Sequence, residues 1–138
     1  MLEVEYVYKG KVRFIDVDSY KILHHSKYFS IMEEARFAYL KDIMGADYDK
    51  IDDYSVLFLV LSINAKYIKS AVYGDEITVC MKVIFDDEPR VTFKYILYNQ
   101  KNEKLFKGSV DVGYYSTATG KMLFHHPQWL LDKISTKY

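Results

Sequence analysis

Four side chains able to move protons stand close together in the first fifth of the chain: Asp16, Asp18, His24 and His25. Carboxylates serve as nucleophiles or general bases, and imidazole titrates near neutrality. The residues before them alternate. Val4, Tyr6, Tyr8, Val12 and Phe14 share one parity, while Glu3, Glu5, Lys9, Lys11 and Arg13 share the other. This period of two predicts a half-buried strand. If it continued, Asp16 and Asp18 would face the apolar side, where a carboxylate is costly unless solvated, paired or used. His24 and His25 stand just before a predicted helix, whose first N–H groups lack partners and can polarise a carbonyl or hold an anion. A carboxylate facing such amides suits acyl transfer: the amides draw charge onto the oxygen while the carboxylate attacks or activates water. Two other readings stay open on spacing alone. Asp-x-Asp at a strand end also makes turns and caps, and Asp and His both ligate metals, although no ligand-spacing motif is present.

The elements that must position these groups are legible. Tyr28, Ile31, Met32, Ala35, Tyr39 and Ile43 recur at helical spacing, which predicts a helix over Ser26 to Met44 stopped by Gly45. An acidic loop, Asp47 to Tyr54, follows. Val56 to Ile68 is almost continuously apolar, as a central strand would be. With it, Glu76 to Phe85, Arg90 to Tyr98 and Leu105 to Tyr115 read as four strands in a run of antiparallel hairpins, and Pro127 to Ile134 as a short helix. The pair His125-His126 reads as a surface loop feature. One long helix with one large antiparallel sheet is an α+β fold, expected here as a single domain over residues 1–138. One helix cannot cover so large a sheet, so apolar sheet surface is expected to meet another subunit.

Composition excludes several classes. Lys plus Arg and Asp plus Glu both number 19, which leaves no basic excess for a nucleic-acid groove. A single cysteine, Cys80, rules out an intrachain disulfide and a cysteine metal cluster and suits a reducing compartment. No apolar run is long enough to span a bilayer. The expectation is a cytoplasmic protein with no membrane insertion and no nucleic-acid partner.

The residues also carry a resemblance. Arg13-Phe-Ile-Asp16-Val-Asp18, then Tyr28, then Glu33-Glu-Ala35-Arg36 resembles the 4-hydroxybenzoyl-CoA thioesterase-like branch of hotdog proteins, which includes the Tol–Pal-associated acyl-CoA thioesterases. Ala65-Lys-Tyr67, Ser70-Ala71, Gly74-Asp75-Glu-Ile77 and Thr119-Gly120-Lys121 are similar too, so the likeness runs along essentially the whole chain. It implies a hotdog fold, a long central helix wrapped by a five- to six-stranded antiparallel sheet, and acyl-CoA thioesterase activity without a cofactor or metal. It implies that Asp18 is the catalytic carboxylate and that His25 supplies the helix N-terminal amide for the thioester oxygen. Asp16 would be structural, and Tyr28 would line the site. It also implies homodimers with sites between subunits, pairing into tetramers.

Arg90, which follows a turn where the family often has a basic residue, is expected to meet the nucleotide of CoA, with Lys66 and Lys69 as further candidates. The sequence departs from the family where a glycine is usual, three residues after Asp18, and has Lys21 there. That departure favours an alternative reading, an acyl-CoA or acyl-carrier binding module without turnover. A hotdog dehydratase using His25 and Asp18 is the other alternative. Phe58, Leu59 and Tyr67 suit an apolar acyl pocket and suit core packing equally, so the acyl group is not legible.

Overall fold

The computed structural model describes residues 2–137. Six strands and two helices follow in the order β1 (Leu2–Lys11), α1 (Lys27–Met44), β2 (Val56–Tyr67), β3 (Glu76–Phe85), β4 (Arg90–Tyr98), β5 (Lys104–Ser116), β6 (Lys121–Met122) and α2 (Gln128–Lys137). All pairings are antiparallel, in the order β1-β3-β4-β5-β2, with β6 beside β5. This is the expected α+β hotdog arrangement.

Strand alternation decides which face is core. Ile77, Val79, Met81, Val83 and Phe85 of β3 are all buried, as are Val91, Phe93, Tyr95 and Leu97 of β4. Against them α1 lays Tyr28, Met32, Ala35, Tyr39 and Ile43, one stripe at three- and four-residue spacing. Burying a side chain of this size contributes about 1.5–3 kcal/mol. The helix sits low on the sheet because Gly108 of β5 has no side chain. A Cβ there would lie 2.8 Å from the Phe106 ring and 2.9 Å from the Met32 sulfur. Gly45 ends α1 at φ +57°, and its N–H bonds the Lys41 carbonyl. The chain then runs through 3-10 turns over Gly45–Tyr54. Helix α2 returns to bury Leu130 and Ile134, stacks Trp129 on Tyr54 and pairs Lys133 with Asp47.

Two expectations need correction. The strand expected to be central, β2, lies at the sheet edge, paired only with β5 among the described residues. It is also not hairpinned to β3. The chain crosses from one edge to the β1 side, so the run of consecutive hairpins begins at β3 and passes through β4 and β5 to the short β6. The apolar character of β2 therefore belongs to surface: Leu57, Val60, Leu61 and Ile63 are each about half exposed. No helix of the described residues is long and apolar enough to cross a membrane.

Candidate active site

β1 ends at Lys11, and the chain enters a 3-10 turn at Phe14–Asp16. The alternation therefore does not reach the two aspartates, contrary to its simple extension. Phe14 swings out to 72% exposure while Asp16 turns inward. The Asp16 carboxylate takes a forked ion pair from Arg13, Nε at 2.9 Å and Nη2 at 3.1 Å, and also accepts the Arg13 backbone N–H at 3.2 Å. Its own carbonyl accepts the His24 N–H at 2.9 Å. Asp16 thus ties the strand exit to the residues before α1. The Arg13 hydrogen bonds hold its carboxyl below the ordinary range despite burial.

That shift has a sign. A carboxyl whose folded pKa is depressed adds stability above its ordinary value, and this is lost as pH falls through the lower folded value. Asp16→Asn is therefore expected to lower the melting temperature at pH 7 and to shrink the loss between pH 7 and pH 3, both read by circular dichroism.

Asp18 opens a tight loop. The Lys21 N–H bonds the Asp18 carbonyl at 3.0 Å, the Asp18 N–H bonds the Ile22 carbonyl at 3.0 Å, and Val17 bridges Leu23. This is a three-residue hairpin whose last residue is left-handed: Lys21 has φ +63°. A glycine reaches that region without cost, whereas Lys pays about 1–2 kcal/mol. The departure at Lys21 thus leaves the loop's backbone path available at a modest strain. Lys21→Gly trades that strain against the greater chain entropy of glycine when unfolded, and is expected to shift stability by no more than about 1 kcal/mol. Chemical denaturation measures it, and activity should stay within a few-fold. The loop also explains the turn reading of Asp-x-Asp. Asp18 Oδ1 accepts the Tyr20 N–H at 2.8 Å, an Asx turn, while the residue itself stays half-exposed at a cleft.

The cleft, of about 320 Å³, is lined by Asp18, Ile22, His25, Tyr28, Tyr67 and Lys69, among others. His25 stands two residues before α1, in a turn closed by the Lys27 N–H on the His24 carbonyl at 2.9 Å. The amides on either side are engaged: His24 with Asp16, and Ser26 with the His24 ring at 3.3 Å. Among the described residues, no acceptor meets the His25 N–H. The Tyr67 hydroxyl donates to the His25 carbonyl at 2.9 Å and pins the turn from β2. Tyr28 accepts the Ala71 N–H at 3.2 Å and stacks on Phe106 at 4.9 Å. Its burial raises the phenol pKa, so it stays neutral and braces the cleft wall. The arrangement presents one carboxylate and one open amide at the positive end of an 18-residue helix.

A sequence profile of the thioesterase-like superfamily matches residues 12–134. The chain belongs to that superfamily. A candidate esterase of Aquifex aeolicus is 30% identical over 95 residues, which cover 69% of this chain and 73% of the relative. YneP, a candidate acyl-CoA thioesterase of Bacillus subtilis, is 29% identical over 99 residues, 72% of this chain and 71% of its own. The fold superposes with a TM-score of 0.85 on the hypothetical protein SAV2348 of Staphylococcus aureus, solved with CoA. That match has 15% identity and covers 100% of this chain and 86% of the other. The protein is thus a thioester hydrolase of hotdog fold.

The thioesterase brings Asp18, His25, Tyr28 and Lys69 together, and places the other two candidates elsewhere. Lys66 precedes Tyr67 on β2, so when Tyr67 faces the helix Lys66 faces away. It lies on the outer sheet surface beside Lys107. Arg90 opens β4 opposite Gly113, seven residues along the strand from Leu97 at the cleft end, or about 23 Å. Neither lines the cleft of this protomer. Lys69 does, with its ammonium paired to Glu103.

Two side chains take roles that spacing did not indicate. Arg36 reaches the buried Tyr95 hydroxyl at 3.3 Å rather than pairing along the helix with Glu33. His126, expected at the surface, is half-buried: the Tyr114 hydroxyl lies 2.6 Å from its Nδ1, and its Nε2 lies 2.7 Å from the Asp86 carbonyl. A carbonyl can only accept, so Nε2 carries the proton and Nδ1 accepts from Tyr114. This pins the chain before α2 to β5 and to the β3–β4 turn.

Proposed function

We propose that this thioesterase hydrolyses acyl-CoA to a free acid and CoA, with Asp18 as nucleophile or general base and the His25 backbone N–H as carbonyl clamp. The observation that carries the reading is the open His25 amide in the same cleft as the Asp18 carboxylate. The thioester oxygen would accept from that N–H at the helix start, where the dipole favours negative charge. In the general-base route, Asp18 takes a proton from water as the water oxygen bonds the carbonyl carbon. The C–S bond then breaks and the thiolate leaves. In the nucleophilic route, Asp18 itself bonds the carbon, CoA leaves, and water cleaves the resulting anhydride.

Tyr28 and Lys69 would line and rim the bound arm. The binding-only alternative drew its support from Lys21. Lys21 takes the left-handed conformation that glycine takes freely, which weakens that alternative. The likeness to the 4-hydroxybenzoyl-CoA thioesterase-like branch, with its Tol–Pal-associated members, is part of the same proposal. So is a cytoplasmic setting, in which the lone Cys80 stays reduced.

The proposal includes a homodimer, with dimers pairing into tetramers. β2 is a 12-residue edge with half-exposed Leu57, Leu61 and Ile63, a surface that invites pairing with a second copy. Pairing there would make β2 the central strand its composition suggests. A thiol-release screen across acyl-CoA chain lengths tests the activity, with mass by light scattering alongside. Absence of thiol release from every substrate would refute the hydrolase, and a monomeric mass would refute the assembly.

A further inference from the structure

Strand β2 ends on Tyr67, whose hydroxyl reaches 42 residues back along the chain to donate to the His25 carbonyl at 2.9 Å. Among the described residues this is the only hydrogen bond that His25 makes. The other bonds of the turn bypass that residue. Lys27 closes the turn on the His24 carbonyl, the Ser26 N–H meets the His24 ring, and the His24 N–H goes to the Asp16 carbonyl. The turn is therefore tied to the fold at His24 on its entry side and at His25 by Tyr67.

Packing fixes the place of that hydroxyl. Phe106 of β5 stands directly opposite Tyr67. The Tyr67 ring meets Phe106 edge-on at 5.2 Å and Tyr28 edge-on at 5.2 Å, and those two rings stack on each other at 4.9 Å. Both partners are buried. A tyrosine side chain turns about only two torsions, so rings held this way set where the oxygen lies. Tyr67 is itself half-exposed and lines the same cleft as Asp18. Its single hydroxyl proton is already engaged by the His25 carbonyl, so it is not offered to a substrate oxygen. The tethered carbonyl and the open N–H belong to one residue and flank one Cα. Because each peptide unit is planar, a shift of that carbonyl carries the amide with it.

We infer that Tyr67 is a positioning residue for thioester hydrolysis: by holding the His25 carbonyl, it aims the His25 N–H at the substrate oxygen. The inference rests on the proposed role of that amide and adds the side chain that directs it. An oxyanion donor works only within hydrogen-bond reach of the point where charge develops. A misplacement of about 1 Å can cost on the order of 10²-fold in rate. Loss of the tether leaves the turn itself closed, so a smaller loss, about tenfold, is expected.

Tyr67→Phe keeps the ring and its two edge contacts and removes only the hydroxyl. For acyl-CoA, kcat should fall about tenfold while KM stays within about two-fold, because the aimed amide acts mainly in the transition state. One part-exposed hydrogen bond is lost, so the melting temperature should fall by no more than a few degrees. The deciding comparison is Tyr67→Phe/His25→Pro. Where no amide remains to be aimed, Tyr67→Phe should cost less than about a further two-fold. A loss equal to the product of the two single losses would mean that Tyr67 acts elsewhere, and overturns the inference. A rise in KM at constant kcat, the mark of a direct substrate contact, also overturns it. So does a Tyr67→Phe kcat within about two-fold of the wild type. A second readout needs no substrate. The NMR order parameter of the His25 backbone amide should drop in Tyr67→Phe from about 0.85, the value of rigid backbone. An order parameter and an amide chemical shift both unchanged overturn the inference. If Asp18→Asn and His25→Pro both left hydrolysis intact, the proposed reaction would fail, and the amide signal would still decide whether Tyr67 fixes the turn.

Discussion

Asp18→Asn is expected to lower kcat/KM for thioester hydrolysis by about 10²–10⁴-fold, the range for losing a general base. The substitution is unusually clean here. Asp18 Oδ1 accepts the Tyr20 N–H, and the side-chain carbonyl of asparagine can accept the same bond. The hairpin that sets Lys21 left-handed therefore persists, and with it the path of the chain into His25. What disappears is the negative charge. A neutral amide neither takes a proton from water nor attacks a carbonyl. The loss should fall on kcat, because the cleft walls and the open amide are untouched. Thiol release measures the rate, and a melting curve shows that the fold is unchanged. A variant within a few-fold of the wild type would mean that another group does the chemistry.

Sequence periodicity served well wherever local chemistry decides the element. The stripe from Tyr28 to Ile43 and the glycine after Met44 bounded α1 to within one residue, because helix faces and stops are local. The inward row from Ile77 to Phe85 held for the same reason. It failed where an element changes partway. Val12 keeps the strand's parity and is buried, but the 3-10 turn after it sends Phe14 out and Asp16 in. The Arg13 fork on Asp16 depends on that turn, so alternation could not announce it.

β2 shows a different limit. An apolar run sets a strand's composition but not its neighbours, which the sheet order decides. Val56 to Tyr67 therefore reads as central although it stands at the protomer's edge. Alternation with Tyr67 already turns Lys66 away from this protomer's cleft. The distance of Arg90 from that cleft was not legible, because it is set along β4 by the β4–β5 register. His126 had no local signal at all. Its partners are Tyr114 and the carbonyl of Asp86, 12 and 40 residues away. In the candidate site, the residue types and their spacing were legible. The open state of the His25 amide required the fold, since it depends on the amides beside it having other acceptors.

The part played by that amide can be separated from that of the imidazole by comparing two variants that both lack the ring. His25 occupies the second position of the turn closed by Lys27 on His24, and Ser26 after it has φ −68° and ψ −23°. Those angles at the third position belong to a type I turn, in which proline is favoured at the second. Among the described residues nothing accepts the His25 N–H, so proline sacrifices no internal bond there. His25→Pro therefore deletes the oxyanion donor together with the ring and preserves the turn. His25→Ala deletes the ring and keeps the donor. If the backbone N–H holds the developing oxyanion, His25→Pro should cost about 10²–10³-fold in kcat, near 3 kcal/mol of barrier. His25→Ala should cost less than about tenfold, since the ring acts at most as an auxiliary acid or base. The Tyr67 hydroxyl still has the residue-25 carbonyl to bond in both variants, so melting temperatures should stay close. Equal losses in the two variants, both of which lack the ring, would move the catalytic role from the backbone to the imidazole. The carbonyl clamp at the start of α1 would then have to be abandoned.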